Sequence, residues 1–287
     1  MTIIEKLIKA GRSDLAEKLR STWKNSVMFR DNIAFKDGEV PVGTSKIFGF
    51  PDLPPEIAYP ELSGFHWSNK HGESGTVPRS SMQLIAQINL YELAKSGADI
   101  EKVLPETGML YIFSCAYYGS EIDLELLPSF NPIEDIYYDI TSVDDPELTQ
   151  KVKVIYWDGD ISTLRKTQPP SPFYGGLSYP EMTKERPVTF YSQDNYDVML
   201  LDDDTNDELL SILKWDYDDL IPENEFTEKL LGVPWTVRKM HYMAESEVCL
   251  FQYRDFRYGY LSDYLAIDKA SLRNKAFSDA RLLEDQG

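Results

Sequence analysis

SKIFGFPDLPPEIAYP (Ser45–Pro60), followed after a loop by MQLIAQINLYELAKSGADIEKVLPETGMLYIF (Met82–Phe113), decides how this chain folds. The first half of the Lys46–Phe113 stretch is a proline-bounded Gly-x-Pro turn, and the second half is an apolar strand with a glutamine inside it. A reduced echo returns near the C-terminus, where KLLGVPWTV (Lys229–Val237) precedes CLFQYRDFRYGYLSDYLAI (Cys249–Ile267). A Gly-x-Pro turn with an apolar, Gln-bearing strand thus occurs twice, around Gly49/Pro51/Gln87 and Gly232/Pro234/Gln252. Recurrence of one supersecondary unit predicts an internal duplication. The expected fold is α+β and β-rich, with two related antiparallel sheet units and short peripheral helices. The expected organisation is a single domain over 1–287, with repeat units near 46–116 and 229–277 and an acidic connector over 121–228. A Gly-x-Pro loop facing each unit is expected to meet its counterpart near a pseudo-twofold axis, forming a cleft.

Elements outward from this stretch follow from spacing. Ile3, Ile4, Leu7 and Ile8 recur at helical intervals, as do Leu15, Leu19 and Trp23, predicting helices over 2–10 and 13–24 around a break at Gly11–Ser13. Ser26–Phe35 reads as extended. Five prolines between 41 and 60 withhold ladder donors, so that segment is read as ordered loop or strand edge. Met82–Leu90 and Met109–Ala116 read as buried strands. Asn89 is placed as the cap of a short helix, with Glu92 as capping-box partner. Further strands are expected at 151–157, 187–192, 197–201, 248–254 and 258–267. Thr205–Glu208 reads as a second capping box opening a helix with Leu209, Leu210 and Leu213. Glu225–Leu231 reads as a short helix stopped by Gly232, and another helix runs from Asp268 toward Ala276. The nearest thing to a boundary is the proline-rich Gln168–Pro180.

These strings closely resemble the YwqG-like family of bacterial proteins of unknown activity. The resemblance rests on SK-x-F-G-F-P-x-L-P, Leu84–Leu90, Leu-Pro-x-x-Gly-x-Leu-Tyr-x-Phe ending at Phe113, Leu230-Leu-Gly-x-Pro234 and the Asp268…Leu272…Phe277 pattern. It implies a β-rich fold built on a duplication, in cytoplasmic proteins, and brings no catalytic residues. This chain departs from the family at Phe48-Gly49, where Gly-Gly is usual, and at Tyr59-Pro60, where Trp-Pro is usual. A third departure is Gly259–Asp263, which replaces a Gly-Asp-x-Gly turn.

Charge narrows the function classes. The net charge is −19, and residues 121–235 carry 8 Lys/Arg against 26 Asp/Glu. Nucleic acid is excluded as a partner, since phosphate attraction needs Lys/Arg clusters. No apolar run is long enough to span a membrane. Met1–Lys18 carries charges throughout and has no apolar h-region, so it is not read as a signal peptide. Cys115 and Cys249 lie in apolar strands and are expected to be buried and free, in keeping with a reducing cytoplasm.

Gln87 and Gln252 are the polar residues of most interest. Each must satisfy its amide inside an apolar strand, and the economical partner is the backbone of the neighbouring Gly-x-Pro loop. His66, His71 and Glu73 lack the geometry that sets zinc ligands. Asp202-Asp203-Asp204 lacks the alternating pattern of a calcium loop, and acids at a helix N-terminus explain it. No metal site and no cofactor are expected, and no nucleophile elbow or phosphate loop is present. Two function classes remain. The first is a non-enzymatic interaction protein whose acidic face (Asp202, Asp203, Asp204, Asp216, Asp218 and Asp219) docks a basic protein. The acid excess and the family resemblance together suggest an antidote-like binder of a basic toxin. The second is a small-molecule binder or hydrolase lined by Gln87, Tyr111, Trp235 and Gln252.

Overall fold

In a computed structural model of the chain, Ile3, Ile4 and Leu7 are buried on one side of helix α1 (Ile3–Lys9). Thr2 and Glu5 close its N-terminus as a reciprocal capping box. Gly11, at φ +76°, turns the chain into α2 (Ser13–Ser21), which buries Leu15, Ala16 and Leu19. Leu209 joins these six residues in one apolar cluster. Burying each Leu or Ile contributes roughly 1.5–3 kcal/mol, and this packing carries helices too short to persist alone.

The structure describes residues 2–35, 39–62, 65–68, 74–77, 79–114, 152–171, 184–212, 228–236, 242–254 and 262–283. Its principal strands, in chain order, are β1 (Trp23–Asp31), β2 (Lys46–Ile47), β3 (Gln83–Asn89), β4 (Met109–Ser114) and β5 (Val152–Trp157). They continue with β6 (Arg186–Tyr196), β7 (Lys229–Leu231), β8 (Glu247–Arg254), β9 (Ser262–Asp268) and β10 (Arg281–Leu283). Helix α3 (Leu90–Ser96) follows β3, α4 (Asp203–Ile212) follows β6, and α5 (Lys269–Arg273) follows β9. The protein is therefore β-rich, with antiparallel sheet and few, short helices.

The chain forms two compact units. The middle unit comprises Asp31–Glu92 and Pro105–Thr189; the terminal unit comprises Met1–Arg30, Leu93–Leu104 and Phe190–Gly287. In the middle unit the strand order is β5-β4-β3-β2 and then the first residues of β6. Lys46 pairs with Gln87 and with Pro187, and Gln87 pairs with Tyr111. All of β3 and β4 is buried, and Leu84, Met109, Tyr111 and Phe113 pack with Leu53 and Tyr59 in one apolar cluster.

In the terminal unit the order is β1-β7-β8-β9-β10. Lys229 pairs with Met28 and with Gln252, and Gln252 pairs with Tyr264. The register of β3 against β4 shifts between Leu84 and Ala86, and that of β8 against β9 between Cys249 and Phe251. Each shift places an extra residue two positions before the strand glutamine, and such bulges re-aim side chains. Phe29 meets Phe190 edge-on at 5.2 Å and lies 6.0 Å from Phe251.

Several sequence expectations are corrected here. Lys229–Leu231 is a strand rather than a helix end. Residues 198–200 form a 3₁₀ turn capped by Asp197, not a strand. β6 runs longer than expected, to Tyr196, and α2 ends at Ser21, so that Trp23 begins β1. Leu213, Cys115 and the 258–261 part of the last strand lie outside the described residues.

Candidate functional site

Two consecutive left-handed residues shape each Gly-x-Pro loop. Phe48 and Gly49 have φ of 59° and 73°, and Leu231 and Gly232 have φ of 60° and 75°. Side-chain-bearing residues avoid this region at a cost of roughly 1–2 kcal/mol, so Phe48 and Leu231 are held there by what surrounds them. The glycines are required by close approach as well. A Cβ on Gly49 would fall 2.4 Å from Glu185 Cγ, and one on Gly232 would fall 1.8 Å from Ser26 Oγ.

In the middle unit the loop closes over a buried ionic network. Lys46 has no solvent exposure, and its Nζ donates to Asp52 Oδ2 at 3.1 Å and Glu185 Oε1 at 2.8 Å. Lys166 Nζ donates to the other Glu185 oxygen at 2.8 Å. Two cations thus balance two carboxylates, which is what makes such burial tolerable. Burial alone would raise the Glu185 carboxyl, but the hydrogen bonds from Lys166 and Lys46 overcome it and hold that group below the ordinary carboxylate range.

Gln87 ties this network to the sheet. Its Oε1 accepts from Asp52 N at 2.7 Å, and its Nε2 donates to Thr44 O at 2.9 Å and Asp52 Oδ2 at 2.7 Å. Tyr111 donates to Asp52 O at 2.7 Å, and burial, with help from Asp52 and Glu56, pushes its phenol well above the usual value. Asn89 accepts from Tyr91 N as the helix cap. Glu92 is not its capping-box partner: its carboxylate accepts from Ser45 N at 2.9 Å, while Asn89 N donates to Ser45 Oγ.

The terminal unit uses the same polar residue types with different neighbours. Gln252 Oε1 accepts from Trp235 N at 2.8 Å and its Nε2 donates to Trp235 O. Lys229 Nζ donates to Val233 O, and Val233 N donates to Asn195 Oδ1 at 2.6 Å. No carboxylate among the described residues pairs with Lys229, and burial depresses its amine to about 8, slightly opposed by Cys249. Cys249 is free and buried, and burial raises its thiol to about 11. Such a thiol is inert rather than nucleophilic.

The structure therefore brings Gln87 and Tyr111 together at Asp52, and Gln252 and Trp235 together at the second loop. Gln87 and Gln252 both bond loop backbone, as their setting in apolar strands requires. The sequence reading missed Lys46, Asp52, Glu185 and Lys229, although Lys-x-x-Gly-x-Pro occurs at both 46–51 and 229–234.

Among the acids, Asp202 is the cap of α4, accepting from Thr205 N and Oγ1 at 2.9 and 2.8 Å. These bonds hold its carboxyl below the ordinary range, and Thr205 is not the cap. Glu208 pairs with Arg12 instead of closing a capping box. Asp203 and Asp204 are exposed in the first turn of α4. Asp216, Asp218, Asp219, His71 and Glu73 lie outside the described residues, as does the side chain of His66. Among the described residues there is no group of three potential metal ligands, and no helix is long and apolar enough to cross a membrane.

Fold and site together define a β-rich antiparallel protein whose Gly-x-Pro loops are fastened by strand glutamines. The chain belongs to the family described as Domain of unknown function (DUF1963), matched over residues 45–285. No curated protein matches it.

Proposed function

We propose that this protein is a non-enzymatic interaction module that docks a basic protein through its acid-rich surface. The observation that carries the reading is the contrast between buried and exposed polar groups. Gln87, Tyr111 and Gln252, which could have lined a reactive site, are committed to loop backbone. Asp203, Asp204 and Asp207 stand exposed along α4, and no cation pairs with them among the described residues. Met199 and Leu200, just before them, are exposed apolar residues able to contact the uncharged part of a partner. A basic toxin or nuclease is the partner type that an antidote-like role implies.

The same reading treats the two units as copies of one ancestral Lys-x-x-Gly-x-Pro sheet module within a YwqG-like bacterial, cytoplasmic protein. Matching register, glycine contacts and bulge positions support the duplication. The docking proposal is tested by capture from native extract at low salt, followed by elution with rising salt. Partners held by wild type but lost by an Asp203→Asn/Asp204→Asn/Asp207→Asn variant support it. Capture unchanged by these substitutions and by salt contradicts it.

A further inference from the structure

Among the described residues, Lys229 and Ser26 leave buried hydrogen-bond donors without acceptors. An ammonium carries three N–H donors, and Lys229 uses one on Val233 O. The other two have no acceptor among the described residues. Ser26 is 1% exposed, and its hydroxyl has no hydrogen-bond partner there. The register puts both on one face of the sheet: Lys229 stands opposite Met28, and Ser26 is two residues back along the same strand.

The middle unit shows what belongs at such a place. Lys46 stands opposite Pro187, and two residues back is Glu185, whose carboxylate receives Lys46 at 2.8 Å. The glycine contacts give the same correspondence. A Cβ on Gly49 would lie 3.2 Å from Glu185 Cα, and a Cβ on Gly232 would lie 3.2 Å from Ser26 Cα. Ser26 therefore occupies the position of Glu185 without its carboxylate, and Trp235, the third residue after its glycine, occupies that of Asp52. Among the described residues the ammonium keeps its burial but has neither counter-ion. Isolated buried charge is costly, and the depressed Lys229 amine is one expression of that cost.

We propose that Lys229 and Ser26 form a binding site for a small monocarboxylate, of formate or acetate size, which supplies the missing counter-ion. The carboxylate oxygens accept from the two remaining Lys229 N–H groups and from the Ser26 hydroxyl. Its size is set by what Ser26 lacks relative to glutamate: the hydroxyl takes the place of the Glu185 γ-methylene against the loop glycine, and the carboxyl group is missing. Gly232, Val233 and Trp235, on the loop beside these donors, are half-buried. This site is independent of the acidic docking surface.

Thermal unfolding at neutral pH, with sodium acetate or formate titrated at constant ionic strength against chloride, tests the site. Ligands that bind only the native state raise its midpoint by mass action. Wild type is expected to show a saturable rise of several degrees with acetate and none with acetamide, the neutral isostere. Lys229→Met should abolish the response. Ser26→Glu should raise the midpoint without acetate and remove the acetate effect, because it supplies the carboxylate within the chain. An equal response to acetate and chloride, a response retained in Lys229→Met, or a lowered midpoint in Ser26→Glu would each overturn the proposal.

Discussion

Gln252 lies directly across from Lys229 on neighbouring strands, and the two side chains fasten one loop at adjacent points. Lys229 donates to Val233 O while Gln252 accepts from Trp235 N. Lys46 and Gln87 stand in the same register, but there the lysine meets carboxylates rather than a carbonyl. The two fastenings therefore differ in charge balance, and they should respond differently to pH.

Stability should rise between about pH 8 and 10.5 because of Lys229. Its folded value of about 8 lies below the ordinary 10.5, so over that window the unfolded state binds more protons, and raising pH favours the fold. The full effect is at most roughly 3 kcal/mol. Urea unfolding across this range should show an upward slope that Lys229→Met flattens. Lys229→Met should also be the more stable protein at pH 7, since it removes a buried cation that no carboxylate among the described residues balances.

Glu185 acts in the same sense, with stability rising with pH, but in the acid range. Its folded value lies below the ordinary 4.5, so its contribution is present above that value and fades as pH falls through the folded one. Acid unfolding followed by circular dichroism should show Glu185→Gln less stable than wild type at pH 7. The gap should narrow as pH drops below about 4.5.

Gln87→Ala should cost more than Gln252→Ala. The first leaves Asp52 N and Thr44 O without their partner at a buried site, where Gln87 and Asp52 have no solvent exposure. Each buried group so abandoned costs roughly 1–3 kcal/mol. Denaturant midpoints measured side by side would decide the order.

Gly49→Ala and Gly232→Ala should both destabilise by more than the roughly 1–2 kcal/mol of a left-handed alanine, because a new methyl also meets Glu185 or Ser26. Calorimetric midpoints lowered in both variants are expected; an unchanged midpoint in either would show that the close approach relaxes freely.

Much of the fold was legible because strands such as Leu84–Ile88, apolar but for Gln87, and Leu110–Phe113 carry their own signal, and Asn89 and Asp268 are efficient caps. Lys229–Leu231 was misread for a physical reason. Three residues hold too little periodicity, and a left-handed glycine such as Gly232 ends helices as readily as it opens a strand-to-loop turn. The ionic network was illegible because Lys46 and Glu185 are 139 positions apart. The role of each glutamine was legible because an amide inside an apolar strand has few places to go.

Association kinetics with a captured basic partner, measured over a range of salt, test the docking role most directly. Steering between opposite charges is screened beyond a Debye length of about 8 Å at physiological salt. The association rate should therefore fall steeply as salt rises. Asp203→Asn/Asp204→Asn/Asp207→Asn should slow association more than it hastens release. An association rate indifferent to both salt and these substitutions would contradict the account and leave the acid excess as solvation alone.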